Sequence, residues 1–307
     1  MRQMHPEKGL EAICRLFGYT RQAFYDNANR KQNTDLREAI IVEIVTELRE
    51  LMPRLGTRKL LYELQARLSE HHVQIGRDSL FALLAREGML LRRRQRKVRT
   101  TYSDHPYGRY PNLVANLTLT ASEQVWVADI TYLRVGEGFC YLSLVTDAYS
   151  RKIVGYHLSD NLRTEGTLSA LEMAFSTRQR RDQRLIHHSD RGFQYCCHAY
   201  VERLEQKGAF ISMTERSDPR ENAIAERVNG ILKHEFRLKK YFTNQQQALE
   251  AVVAGIDIYN RARPHLSLGY LKPDEAHLKT GSLQRAWKNY YTTRRGKEVE
   301  MAPECVF

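Results

Sequence analysis

No apolar run in this chain approaches the roughly 18 residues that a bilayer-spanning helix needs. The opening Met1-Arg-Gln-Met-His-Pro-Glu-Lys stretch lacks the apolar core of a secretory leader. The expectation is a cytoplasmic protein that does not engage a membrane. Cysteine is sparse: Cys14, Cys140, Cys196, Cys197 and Cys305 are scattered and odd in number, so they read as reduced thiols rather than a disulfide framework. His187, His188, Cys196, Cys197 and His198 crowd together in sequence, but without CxxC or HxxxH spacing they do not spell a zinc site. There is no low-complexity tract, and no heptad pattern is sustained. Acidic residues are also in deficit: 36 Asp and Glu against 48 Lys and Arg leave a formal charge of +12. That excess argues against a metabolic enzyme for small anions and favours a polyanionic partner, nucleic acid first among them.

What is present is enough for about two domains at roughly 150 residues each. The chain has 307 residues, 42% of them hydrophobic and 27% charged, which excludes a largely disordered protein. Residues 1–95 read as helical. Leu10–Phe17 is a short apolar-periodic stretch broken by Gly18-Tyr19, after which Thr20 can cap a helix over Arg21–Arg30. Helix, glycine turn, helix is helix-turn-helix grammar, and Arg21, Gln22, Tyr25 and Asn29 would then be available to DNA. A plain helical hairpin reads equally well. A second unit follows. Leu36–Met52 carries an apolar stripe of Ile40, Ile41, Ile44, Val45 and Leu48, then come helices over Thr57–Leu68 and from Arg77 or Asp78 to Ala85.

Residues 96–118 form a basic linker. The charge run that opens it, 92–99, is basic at six of eight positions: Arg92, Arg93, Arg94, Arg96, Lys97 and Arg99. Nothing acidic offsets this run, so it reads as a segment that tracks a phosphate backbone. Residues 119–280 alternate strands and helices. Strands are expected at Val125–Val135, Phe139–Asp147, Lys152–Leu158, Leu185–His188 and Phe210–Met213. Helices are expected at Thr164–Thr177, His198–Lys207, Glu221–Phe236 and Gln245–Tyr259. The order βββαβαβα, opening with an antiparallel meander, is that of an α/β RNase H-like domain. Residues 281–307 are a basic, aromatic tail without a motif.

Three carboxylates carry the chemistry. Asp129 sits inside the apolar strand Val125–Leu133, where a carboxylate is costly unless paired or metal-bound. Asp190 ends the strand before the turn Arg191-Gly192, at the kind of position where α/β sheets place their sites. Glu226 lies on a helix whose Ile224, Val228, Ile231 and Leu232 form the buried stripe, with Asn222, Asn229, Lys233 and Arg237 on the opposite face beside it. Two strands and one helix, each supplying one acid, can cage two Mg²⁺ ions, which prefer oxygen donors. Two such cations roughly 3.5–4 Å apart activate an attacking hydroxyl and neutralise a leaving oxygen in phosphodiester transfer. Asp147 reads as a turn residue paired with arginine, not a fourth ligand, and Trp126 as core packing.

Several stretches resemble the integrase core of IS3-family insertion-sequence transposases. They are Trp126-Val-Ala-Asp-Ile-Thr-Tyr132, His188-Ser-Asp-Arg-Gly-Phe-Gln-Tyr195, Glu221-Asn-Ala-Ile-Ala-Glu-Arg227 with Lys233, and Tyr259-Asn-Arg-Ala-Arg-Pro-His-Leu-Ser-Leu-Gly269. Thirty-five residues separate Asp190 from Glu226, the family's DD(35)E spacing. The resemblance is close over 119–280 and looser before it. It implies Asp129, Asp190 and Glu226 as catalytic metal ligands for Mg²⁺, with Mn²⁺ able to substitute. The implied reaction is cleavage of element ends and strand transfer into DNA. It implies Asn222 and Lys233, then Asn229 and Arg237, as contacts to the element end. Double-stranded DNA, other copies of the chain on that DNA, and an upstream-frame protein or fusion are the implied partners. Two departures are Glu221 where Asp is usual and Phe193 where a small residue is usual. Two other readings stay open: a helix-turn-helix DNA-binding regulator with an inactive integrase-like core, and an RNase H-like nuclease acting on hybrids.

Overall fold

The structure, a computed structural model, describes residues 9–91, 110–115, 117–215, 221–284 and 286. Two compact units emerge: one from Met1–Leu51 with Leu55–Arg92, the other from Met52–Arg54 with Arg93–Phe307. No helix among the described residues is long and apolar enough to cross a membrane.

The first unit contains α1 (Leu10–Leu16), α2 (Arg21–Leu51), α3 (Thr57–Glu70) and α4 (Arg77–Arg86). Gly18 makes the break after α1 with φ 73°, a left-handed conformation that suits glycine. The expected cap forms: Thr20 Oγ1 accepts from the Ala23 amide at 3.1 Å. The expected separation of Arg21–Arg30 from Leu36–Met52 does not occur, because α2 is one helix of 31 residues. Lys31–Asp35 holds no Gly or Pro to stop it, and a helix-interior Asn, Thr or Asp costs only a few tenths of a kcal/mol. Thr34 absorbs its own hydroxyl by donating to the Arg30 carbonyl at 2.8 Å. Only the second half of α2 buries a face, through Ile41, Ile44, Val45 and Leu48; α2 packs on α3 and α3 on α4, where Leu60, Leu64, Leu80 and Leu84 are buried as well. Ile40 and Leu61, expected inward, stay partly exposed.

The second unit is built on a mixed sheet in the order β3-β2-β1-β4-β5: β1 (Val125–Val135), β2 (Gly138–Asp147), β3 (Ile153–Ser159), β4 (Ile186–Ser189) and β5 (Phe210–Met213). β1, β2 and β3 are antiparallel, whereas β4 and β5 run parallel to β1. Helix α5 (Thr164–Thr177) follows β3; α6 (Phe193–Cys196) and α7 (His198–Gln206) join β4 to β5; α8 (Ala223–Glu235) and α9 (Gln245–Arg261) follow. This is an RNase H-like fold behind an all-helical segment. The elements differ from their sequence-based bounds by one or two residues at several ends. Four were not foreseen: α6, the two-residue β6 (Tyr241–Phe242) pairing with β1, a 3-10 turn at Leu266–Leu268, and α10 (Pro273–His277). All four are too short to carry a periodic pattern.

Alternation along β1 divides the core. Trp126 and Ala128 pack with Leu171, Phe175 and Tyr200 on one face, whereas Leu133 packs with Val228, Leu232, Phe242 and Ile256 on the other. Trp126 is fully buried, its ring 5.2 Å from that of Phe175. Asp129 shares the parity of Leu133 and so opens toward α8. β3 approaches α5 closely at Gly155, where a Cβ would lie 2.0 Å from the Ala170 carbonyl oxygen.

A buried polar network docks α10 to the sheet. Asp147 accepts from the Glu123 amide at 2.6 Å and from the amide and hydroxyl of Ser150, both at 2.7 Å. Asp147 is thus a turn residue as expected, while Arg151 donates to the Ala148 carbonyl. The Ser150 hydroxyl meets His277 Nδ1 at 2.9 Å, and His277 Nε2 faces Glu123 at 3.6 Å. Burial by itself would raise the Glu123 pKa. His277 and the amides of Gln179 and Arg180 outweigh it and hold the carboxyl at about 2.

Candidate active site

The site begins with strand register. β1 and β4 run parallel, and their last pair is Ala128 with Ser189. One step further along each strand come Asp129 and Asp190, so the register itself sets the two carboxylates on neighbouring chains. β1 remains paired to β2 on its other side through Val135, which holds Asp129 on a rigid element. Beyond Ala128, the edge that β4 leaves is met by α8 and, at Arg134 and Val135, by the short β6.

Two asparagines dock α8 there. Asn222, the residue before the helix, donates from Nδ2 to the Ala128 carbonyl at 3.0 Å. Asn229 donates from Nδ2 to Asp129 Oδ2 at 2.7 Å. Glu226 lies between them on the same stripe, in the first turn of α8, so these two anchors turn it toward the aspartates. The other Asp129 oxygen accepts from the Ile130 amide at 2.9 Å, and Asp190 Oδ1 accepts from the Gly192 amide at 3.0 Å. His188 secures the entry to α8 from below. Its Nδ1 meets Ser212 Oγ at 2.8 Å and its Nε2 meets the Glu221 carbonyl at 3.1 Å.

The electrostatics make ionisation of Asp129 costly. The Asp129 pKa is raised to about 7, by burial first and then by the charge of Asp190, with Glu226 adding to it. The Asn229 amide and the Ile130 N–H oppose that rise without cancelling it. Tyr195, whose hydroxyl is buried without a hydrogen-bond partner, is pushed well above its usual pKa by burial, by Tyr200 and by the same two aspartates. Asp129, Asp190 and Glu226 lie on adjoining elements, one of them unwilling to ionise, and their oxygens have the chemistry that suits a hard divalent cation whose charge would relieve that cost. Among the described residues, no group of three His, Cys, Asp or Glu is drawn tightly enough to hold an ion as it stands. The triad is therefore a donor set rather than a preformed cage.

The other residues singled out in the sequence are dispersed. Asn222 and Asn229, expected on an open helix face as contacts to DNA, are buried at 6% and 5% exposure. Their amides are committed to Ala128 and Asp129, because the α8 stripe facing β1 is polar at these two positions. Arg237, expected on the same face, lies beyond the end of α8 in a left-handed conformation with φ 60°. Lys233 does remain on α8, its Nζ 4.2 Å above the centre of the Tyr132 ring. Arg21 and Gln22 are exposed at the start of α2, where Gln22 donates to Asp26 at 3.3 Å. Arg92, Arg93, Arg94, Arg96 and Lys97 lie outside the described residues. The histidines and cysteines near 190 have partners of their own: His187 with Tyr200, Cys196 with Met213, Cys197 with Thr164.

Sequence reasoning missed the support around the site. Asn260 bonds the Ile153 amide and carbonyl, both at 3.0 Å, in the manner of a strand neighbour. Arg263, 3% exposed, grips Glu235 at the end of α8 with two bonds of 2.9 Å. Pairs this far apart leave no trace in a single sequence.

Two integrase core domain family models match the chain, one over residues 120–219 and the other over 207–273. The insertion element IS600 uncharacterized 31 kDa protein of Shigella sonnei is 38% identical, covering 85% of this chain and 96% of that protein. Transposase InsF for insertion sequence IS3A of Escherichia coli K12 is 28% identical, covering 88% of this chain and 94% of that protein. The magnesium complex of the HTLV-2 integrase catalytic core domain superimposes on 51% of this chain and 97% of that one, with a TM-score of 0.39 at 16% identity.

Proposed function

The chain belongs to the IS3 family of insertion-sequence transposases, and from that membership we propose that it cuts DNA at its element's ends and joins them to target DNA by a DDE mechanism. The observation that carries the reading is the parallel register that sets Asp129 beside Asp190, with α8 docked across them by Asn222 and Asn229. Asp129, Asp190 and Glu226 would hold two Mg²⁺ or Mn²⁺ ions. When bound, such ions promote the attacking hydroxyl and neutralise the departing oxygen.

The chain's own residues do the rest. Asn229 and the Ile130 amide each occupy one lone pair of Asp129 and fix the carboxylate plane, leaving one lone pair on each oxygen for a cation. Asn222 and His188 hold the start of α8, and Arg263 holds its end through Glu235, so Glu226 is carried on a helix tethered at both ends. Lys233, two turns along α8 from Glu226, offers a cation for a DNA phosphate. No Ser or Tyr nucleophile is needed, because water attacks first and the freed 3′-hydroxyl attacks second. The exposed Arg21 and Gln22 at the start of α2, and the basic run at 92–99, are proposed as further contacts to duplex DNA. Assembly of several copies on DNA and cooperation with an upstream-frame protein belong to the same proposal.

The test uses the full chain and duplexes taken from the DNA flanking its gene, assayed for nicking and joining with Mg²⁺ or Mn²⁺ beside Asp190→Asn. Joining by the wild type, lost in the variant while DNA binding persists, is the expected result. Joining retained by the variant overturns the triad. Binding without cleavage, both alone and as a fusion with the upstream frame, overturns the enzyme in favour of a regulator.

A further inference from the structure

We propose that Tyr132 and Phe139, with Lys233 against them, form a stacking platform for an unpaired base of a DNA strand that runs past the active site. The inference builds on the proposed DNA chemistry and adds a recognition surface to it. Tyr132 lies on β1 opposite Tyr141 of β2, which makes Phe139 its diagonal neighbour on the same face of the sheet. The two rings meet edge to face, with centroids 5.4 Å apart at 83°. Both stand about half open, at 45% and 47% exposure. Aromatic rings in mutual contact usually belong to a core, whereas this pair is exposed beside the turn at Gly136 that joins β1 to β2.

The position of Lys233 decides what the pair would receive. Its ammonium lies 4.2 Å from the centre of the Tyr132 ring. It is four residues, about one helical turn, after Asn229, whose amide holds Asp129, while Tyr132 itself follows Asp129 by three positions on β1 and so stands on the other face of the sheet. Exposed Arg237, Lys239 and Lys240 continue the positive charge beyond the helix. Lysine is depleted from the cores of protein–protein contacts, which weighs against a second protein as the occupant. A cation set against aromatic faces matches a nucleotide, whose phosphate seeks the charge and whose base seeks the ring. Inside a duplex both faces of each base are already covered, so the strand received here must be locally unpaired, as at a splayed end.

The experiment measures binding of the full chain, without divalent metal, to a duplex with mismatched terminal pairs and to a fully paired duplex of matching length. 2-Aminopurine in the splayed stretch reports stacking by quenching. The wild type should prefer the splayed duplex and quench the probe. Tyr132→Leu with Phe139→Leu keeps the apolar bulk but removes the rings. It should lose about fivefold to a hundredfold of affinity for the splayed duplex, the range expected of one stacked base. Affinity for the paired duplex should hardly change, and Tyr132→Phe should restore the preference.

Because both side chains are half exposed, an unchanged thermal melt checks that the double variant is folded. A wild type without preference, or a double variant that keeps preference and quench, overturns the proposal. A double variant that changes only the protein's size in solution also overturns it, in favour of a contact between copies. No cleavage is read and no divalent metal is present, so the result does not depend on the triad's activity. Failure of the platform and failure of the triad are therefore separate results.

Discussion

Replacing Asp129 with asparagine should make the catalytic unit more stable while removing its chemistry. In the folded protein the Asp129 pKa lies at about 7 against an ordinary 3.8, chiefly through burial and the neighbouring Asp190. Because the folded value is raised, the unfolded chain releases this proton first as pH climbs. Stability attributable to the residue is therefore intact below pH 4, declines between pH 4 and pH 7, and stays reduced above that. A separation of this size corresponds to about 4 kcal/mol as an upper figure. Asp129 retains some solvent access, so a penalty on the order of 2 kcal/mol is the working expectation.

Asparagine at this position is neutral at every pH; its one carbonyl oxygen accepts from the Ile130 amide and its NH2 donates to Asn229 Oδ1 once that amide turns over, so it escapes the penalty. Urea unfolding followed through the buried Trp126 should show Asp129→Asn more stable than wild type at pH 8, with the gap narrowing toward pH 4.5. Added Mg²⁺ should stabilise the wild type by mass action and leave the variant unmoved. A variant less stable than wild type at pH 8, or a gap constant with pH, would refute the account of the site as stored electrostatic cost.

Glu123 gives the opposite sign. Its folded pKa of about 2 lies below the ordinary 4.5, so its stabilisation is full above pH 4.5 and disappears as pH falls toward 2. Wild type should lose on the order of 2 kcal/mol more than Glu123→Gln between pH 6 and pH 3, measured by urea unfolding. Gly155→Ala places a Cβ 2.0 Å from the Ala170 carbonyl oxygen and 2.9 Å from the Ala174 amide nitrogen, both backbone atoms of α5. The expected cost is about 1–3 kcal/mol or more, seen as a thermal midpoint several degrees lower; an unchanged midpoint would show that α5 shifts freely. Arg263→Met strands the partly buried Glu235 carboxylate and should cost about 3 kcal/mol, of which Glu235→Leu in the same chain should recover most. Additive losses in the double variant would contradict that pairing.

How far the sequence reached depended on the length over which each signal repeats. β1 was legible as eleven residues rich in β-branched and aromatic side chains, and α5 as fourteen residues of 3.6-residue periodicity. Lys31–Asp35 falls in neither expected helix because it carries no apolar stripe, yet nothing in it stops a helix and α2 runs through it. The three acids were legible because a carboxylate in an apolar strand, another at a strand end and a third on an amphipathic helix are each costly or conspicuous, and their spacing matches a family pattern. The two asparagines were legible as polar residues on one stripe, but not as buried ones.

By itself, the sequence determined the order of the elements, the charge that favours a polyanionic partner, and where acidic residues interrupt the apolar pattern. Tertiary structure alone decided which groups neutralise or burden one another. Ala128 had to pair with Ser189 before Asp129 and Asp190 became neighbours, and α8 had to lie on the edge of β1 before Asn229 could reach Asp129. Only then could the Asp129 pKa rise and the Asn229 amide become a brace rather than a DNA contact. The same folding step set Lys233 against Tyr132 and left Phe139 open beside it. A sequence records what each residue can donate, accept or ionise. The energy of doing so depends on distances and burial, which exist only once strands and helices remote along the chain have packed.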